Sequence, residues 1–210
     1  MDCRKIAVFD FDGTLTARDS FFPFLYHLSG KRLPVCARRL LPFSLRLAGA
    51  VAGLCDRSSL KERILVKFLK GYTAGERRRM FEDFISEIDS MLIPEVIERL
   101  NAATEAVIVS ASLREMIEPW ARSHGVAAVI ATELAYDSND RVCGFRTANC
   151  KGREKVRRLR DYLLQTDTDT DRCEITAYGN SRADIPMLEF SHKAFMVVHR
   201  NGKYELDSYR

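Results

Sequence analysis

Two carboxylates, Asp10 and Asp12, stand two residues apart in FDFDGT, directly after the short apolar run RKIAVF at 4–9. Gly13 follows and lets the chain turn, so both can converge on one cation. Paired acids are common on protein surfaces. This pair closes a predicted buried strand, and in an open α/β sheet ligands collect at the carboxyl ends of strands. Three further polar groups sit at comparable places. Ser110 ends EAVIVS, Lys151 and Lys155 open a helix in NCKGREK, and Asn180 and Asp184 follow CEITAY in YGNSRADIPML. The two lysines are one helical turn apart on the same face, so either can point inward.

The elements that must hold these groups follow from periodicity. Strands are predicted at 4–9, 105–110, 126–131, 173–178 and 194–198, the last being the final core strand. A hairpin, ELAYDSNDRVCGF, turns at Ser138–Asp140. Helices are expected at 112–123, 151–164 and 184–190. From about 19 to 102 the apolar residues recur at helical spacing only. Within that block Ser58 and Ser59 with Glu62 read as a capping-box start, and Thr73 with Glu76 as a second, running on to Pro94. Strands alternating with helices predict an α/β fold, a Rossmann-like parallel sheet with helices on both faces. The helical block is too long for an ordinary connection and reads as an inserted all-α cap. The expected division is a core of 1–16 and 104–210 with a cap of 17–103. The acidic run TDTDTD at 166–171 has Arg172 and Tyr178 where a calcium loop needs Gly and Glu, so it reads as a solvated loop.

Charge is unevenly placed along the chain. Residues 31–79 hold thirteen Lys/Arg against three acids, a net of +10, in a 210-residue chain whose total is only +4, which leaves −6 elsewhere. That asymmetry suggests an anionic partner for one part of the molecule and argues against a globally basic nucleic-acid binder. Six scattered cysteines without CxxC spacing read as reduced and point to the cytosol. The N-terminal apolar run is broken by acids too early for a signal peptide. No uncharged stretch reaches the length of a transmembrane helix, the nearest being 33–55, interrupted by Arg38, Arg39 and Arg46. That segment reads as a helix pair on its own domain, or as a basic amphipathic helix at a membrane surface. Dinucleotide-binding and P-loop glycine patterns do not occur, and the four histidines show no zinc spacing.

Taken in order, FDFDGT, Ser110, the NCKGREK lysines and YGNSRADIPML make the chain resemble the haloacid dehalogenase superfamily over essentially its whole length. The insertion after the first motif is similar to the helical cap of the phosphoserine-phosphatase-like branch. The resemblance implies a Mg²⁺-dependent phosphatase in which Asp10 is the nucleophile and Asp12 the general acid/base, its carbonyl also binding metal. It implies that Ser110, with the Ala111 amide, binds a phosphoryl oxygen, and that Ser112 begins the next helix, where free amides favour an anion. The motif lysine neutralises the nucleophile and the phosphoryl oxygens; Lys155 is preferred, with Lys151 the alternative. The expected Mg²⁺ site uses Asp10, Asp12, Asn180 and Asp184, where Asn180 replaces the usual Asp and removes a negative charge.

The resemblance also places Asp19 and Arg63 where phosphoserine phosphatases hold the amine and carboxylate of their substrate. Three functions compete on these grounds. The first is a soluble phosphomonoesterase of small metabolites. The second is a lipid-phosphate phosphatase like those acting on phosphatidylglycerophosphate, with its basic cap on the inner face of an anionic membrane. The third is a phosphate-binding protein with little turnover because of Asn180. Nothing in the sequence specifies an oligomeric state.

Overall fold

The structure, a computed structural model, describes residues 4–51, 56–166 and 173–210. The TDTDTD run, apart from Thr166, lies outside the described residues. The element order is β1 (Arg4–Phe9), α1 (Phe21–Leu28), α2 (Leu33–Leu40), a 3₁₀ turn (Leu41–Phe43), α3 (Ser44–Val51), α4 (Arg57–Leu69), α5 (Ala74–Asp83), α6 (Ile85–Asp89) and α7 (Pro94–Ala102). There follow β2 (Ala106–Leu113), α8 (Arg114–Ser123), β3 (Ala128–Thr132), β4 (Leu134–Tyr136), β5 (Val142–Phe145), α9 (Arg153–Gln165), β6 (Cys173–Gly179), α10 (Ile185–Phe190), β7 (Lys193–Arg200) and β8 (Lys203–Ser208).

The main sheet has the order β3-β2-β1-β6-β7-β8 and is parallel except for the β7–β8 pair. β1 is central, pairing Phe9 with Ile108 on one side and with Tyr178 on the other. Alternation along β1 divides the interior. Ile6 and Val8 pack with Leu159, Leu163, Met187 and Leu188 of α9 and α10. Phe9 joins the other cluster, with Met116, Ile117 and Trp120 of α8 and the apolar faces of α1 and α4. Both faces of the sheet are therefore covered by helices, which is why its strands read as apolar runs rather than as alternating ones.

Among the described residues six α-helices, α1 to α6, lie between two chain crossings that run side by side. Ile93 N donates to Leu15 O at 2.9 Å and Ala17 N to Met91 O at 2.7 Å. Pro94 then starts α7, which leads into β2.

Several boundaries differ from the sequence expectation. α4 is capped by Asp56, whose carboxylate accepts from the amides of Ser58 and Ser59, so the expected box on Glu62 does not form. The Thr73–Glu76 capping box is present. Its helix, however, breaks after Asp83 instead of continuing to Pro94. β2 runs through Leu113, with a register shift after Ser110, which delays α8 to Arg114. β8 was not expected, because KYELDS pairs at an exposed antiparallel edge and carries little apolar signal.

Candidate active site

The carboxyl ends of β1 and β6 meet the start of α9, and Asp10, Asp12, Lys155, Asn180 and Asp184 converge there. Lys155 is 1% exposed, and its Nζ lies 2.5 Å from Asp10 Oδ1 and 2.6 Å from Asp184 Oδ1. Despite its burial, these two carboxylates keep its pKa above the ordinary lysine value. Burial pushes the Asp10 carboxyl up to about 6, with Lys155 pulling it down and Asp184 pushing it up. Asp184 moves the other way: against its burial, Lys155 and Ser181 hold it below the usual carboxylate range. Lys155 thus binds two buried acids that would otherwise repel each other.

Asp12 is held at both oxygens. Oδ1 accepts from Ser20 N at 2.8 Å, and Oδ2 accepts from the Ser112 hydroxyl. Gly13 makes the approach of the fourth segment possible. Its φ is +78°, and a Cβ there would stand 2.0 Å from Asn180 Nδ2. The Thr14 hydroxyl lies between Asp10 Oδ2, at 3.3 Å, and Asn180 Oδ1, at 3.5 Å, so these two oxygens share one neighbourhood. Ser110 is buried and accepts from Ser112 N at 3.0 Å, which ties it through Ser112 to Asp12.

Other expected residues fall differently. Lys151 is exposed; the chain turns at Gly152 with φ +61° before α9 begins, and it is Lys155 that reaches inward. Ser112 belongs to β2 and its amide is already used by Ser110, so it is not a free amide at a helix start. The contacts of Ala111 run through its carbonyl, which accepts from Lys61 Nζ and Thr132 Oγ1, each at 3.1 Å. Asp19 is exposed near the site and caps Phe21 N at 2.7 Å. Arg63 is exposed on the far side of α4 and has no part in the cluster.

Lys61, two residues earlier, turns toward the cluster instead. Burial lowers its pKa, while Asp12, Asp19 and Asp10 oppose that and Lys151 adds to it. The signal for Lys61 was present in the sequence. It stands three and four residues before Ile64 and Leu65, on the buried stripe of α4. Asn149 was also missed: it bridges Ser58 Oγ of α4, at 2.7 Å, and Thr132 Oγ1, at 3.3 Å.

A divalent cation at this place would meet hard oxygen donors. Among the described residues no three His, Cys, Asp or Glu side chains cluster as a metal cage. Asp184 takes Lys155 on Oδ1 and, on Oδ2, the amides of Asn180 and Ser181 and the Ser181 hydroxyl, so it braces the lysine and the loop rather than presenting a free oxygen. Asp10 Oδ2, the Asp12 carbonyl and Asn180 Oδ1 remain. That donor set suits Mg²⁺, which takes one or two carboxylates and completes its shell with water and substrate oxygens.

Comparison with known proteins shows the family. A family model described as haloacid dehalogenase-like hydrolase matches residues 7–189. Protein CicA of Caulobacter vibrioides is 33% identical over 204 residues, covering 93% of this chain and 86% of that one. A probable phosphatase of Mycobacterium tuberculosis is 27% identical over 208 residues, covering 95% and 70%. Among solved structures, a protein of unknown function from Bordetella pertussis matches with a TM-score of 0.80 at 22% identity, over 95% of this chain and 92% of that one. The chain belongs to the haloacid dehalogenase-like hydrolase family.

Proposed function

We propose that this hydrolase is a Mg²⁺-dependent phosphatase of phosphate monoesters that works through an aspartyl phosphate on Asp10. One observation supports the reading: Lys155 holds the Asp10 carboxylate at 2.5 Å, with Asp12 fixed two residues on. In the first step a carboxylate oxygen of Asp10 bonds to phosphorus and the ester P–O bond breaks. The leaving alkoxide takes a proton from Asp12. In the second step Asp12 takes a proton from water, whose oxygen attacks phosphorus, and the bond to Asp10 breaks to release inorganic phosphate. Lys155 and the Ser110 hydroxyl stabilise the phosphoryl oxygens. Asp10, the Asp12 carbonyl and Asn180 would hold Mg²⁺, which when bound neutralises charge on the transferring group.

Lys61 supports a further assignment, as the cation that the helical segment brings over the phosphoryl group. That segment is proposed to act as the cap, moving about the paired crossings at 15–17 and 91–93, so that α7 counts with the core. With Arg63 facing solvent, the expected Asp19–Arg63 clamp is withdrawn. The proposed substrate is a phosphorylated small molecule. A phosphate ester on a lipid headgroup is the second reading, favoured by the exposed Leu33, Leu41 and Leu45 of the helical segment.

The test is hydrolysis of a generic aryl phosphate with and without Mg²⁺. Turnover that requires the metal and falls by at least about a thousandfold in Asp10→Asn is the expected result. Phosphate binding without metal-dependent turnover would overturn the enzymatic reading in favour of a binding protein.

A further inference from the structure

From Ser20 through Cys55 the chain contains no Asp or Glu, but it contains Lys31, Arg32, Arg38, Arg39 and Arg46. Part of that stretch, α2, the 3₁₀ turn and α3, is an almost unbroken helical run over 33–51. Its inner side is anchored to the molecule. Cys36 is buried, and Leu40, Phe43 and Leu47 pack against the main apolar cluster. Arg39 also turns inward: it donates to the carbonyls of Leu28, Lys67 and Phe68 at 3.4, 3.2 and 2.8 Å, and lies 4.4 Å from the centre of the Phe68 ring.

The outer side is apolar as well. Leu33 is 70% exposed, Leu41 69% and Leu45 88%. With exposed Ala37 between them, these positions recur every four residues over about 18 Å at helical rise, and because each step turns about 40° further they form a winding stripe about 120° wide. A helix that lies on a protein and faces water has a polar outer side; this one exposes leucines. Arg32, Arg38 and Arg46 accompany the stripe, all exposed and without a carboxylate partner among the described residues. Lys31 is already engaged, by Glu87.

An exposed winding stripe of leucines, accompanied by arginines and by no acid, suits a planar surface of anionic headgroups over a shallow apolar layer. We propose that this stripe docks the protein peripherally on an anionic lipid bilayer. The leucines enter the headgroup boundary while Arg32, Arg38 and Arg46 meet lipid phosphates. Attachment at the surface also agrees with the absence, among the described residues, of any helix long and apolar enough to cross a membrane. α4, which carries Lys61, packs directly against both α2 and α3, so the docked face lies one helix away from the phosphate site. The proposal does not depend on the chemistry at Asp10, because its readout is binding.

The experiment is co-sedimentation of the full chain with vesicles of phosphatidylcholine and phosphatidylglycerol (7:3), or of phosphatidylcholine alone, at low and at high NaCl. The expected result is binding to the anionic vesicles at low salt, release at high salt, and little binding to the neutral ones. Leu41→Ser with Leu45→Ser should weaken partitioning at least about tenfold, and Arg38→Glu with Arg46→Glu should do the same. Both double variants should keep the wild-type circular dichroism and melting temperature, which separates lost docking from lost folding. A wild-type protein that stays in the supernatant with anionic vesicles at low salt overturns the proposal. So does folded Leu41→Ser/Leu45→Ser protein that binds as tightly as wild type. A leucine-dependent dimer in sedimentation equilibrium, without vesicle binding, overturns it in favour of a second copy. An inactive protein that still binds anionic vesicles leaves it standing.

Discussion

Lys61 and Arg63 differ by about 200° of rotation around α4, and that angle puts one cation beside Asp10, Asp12 and Asp19 and the other in solvent. Replacing Lys61 by Ala should lower kcat/KM for an aryl phosphate about ten- to a hundredfold, while Arg63→Ala should stay within about twofold of wild type. Steady-state kinetics on the two variants checks this, and equal effects would reject the assignment of Lys61. Asp10 was legible as the residue that closes an apolar strand, whereas Ser110, inside β2, and Asp184, at the start of α10, drew their roles from the resemblance carried by the motifs together. The inward lysine was harder to read. Lys151 and Lys155 share a helical face, and only the positive φ of Gly152 separates the one outside α9 from the one within it. Asn149 and Thr132 gave no pattern, since they work as links between elements that only the fold brings together.

At the scale of elements, the first turn of α9 carries both the site lysine and the network that fixes it in place. Glu154 accepts from Arg157, at 2.9 and 2.7 Å, and from Arg158 Nε at 2.8 Å. Arg158 in turn donates to the carbonyl of Ala131, on β3, at 2.7 Å and to that of Ala148. Hydrogen bonding from Arg157, with Arg158 adding to it, holds the Glu154 carboxyl down to about 2. A carboxylate depressed in the folded state contributes stability that is complete above its unfolded value and is lost as pH falls through its folded one. Glu154→Gln should therefore cost about 1 kcal/mol at neutral pH, a figure reduced for solvent screening because the Arg157 partner is exposed. The melting-temperature gap between wild type and variant should narrow as pH drops from about 4.5 toward 2. A gap that stays constant over that range would show that the loss is one of packing. The same scale shows why element types were easier to read than boundaries. β1 and α9 have strong periodic patterns, whereas β2 runs past Ser110 through SASL, where the apolar run thins before the helix begins. β8 lies at a polar sheet edge, and its pairing with β7 is a tertiary fact that no local pattern announces.

Over the whole molecule, the +10 of residues 31–79 falls on helices between β1 and β2, and the −6 of the remainder includes Asp10, Asp12 and Asp184 at the strand ends. An anionic substrate approaching this acidic floor is repelled unless positive charge lies nearer to its path. Lys61 sits close enough to Asp10, Asp12 and Asp19 to interact with them, and so supplies such charge at the site. The wider basic segment extends the field outward, and with a Debye length of about 10 Å at 0.1 M salt its reach depends on ionic strength. Steering of this kind acts on encounter, whereas Lys155, buried between Asp10 and Asp184 and proposed to act on the bound phosphoryl group, is little screened. Raising NaCl from about 20 mM to about 500 mM should therefore lower kcat/KM for a doubly charged phosphate monoester severalfold while changing kcat by less than about twofold. Initial rates over a salt series, at saturating and at limiting substrate, separate the two constants. If kcat fell in parallel with kcat/KM, screening would be acting on the chemical step and the basic segment would have no role in capture. If neither changed, the charge asymmetry would serve another surface, for which the leucine-lined face of α2 and α3 is the structural candidate.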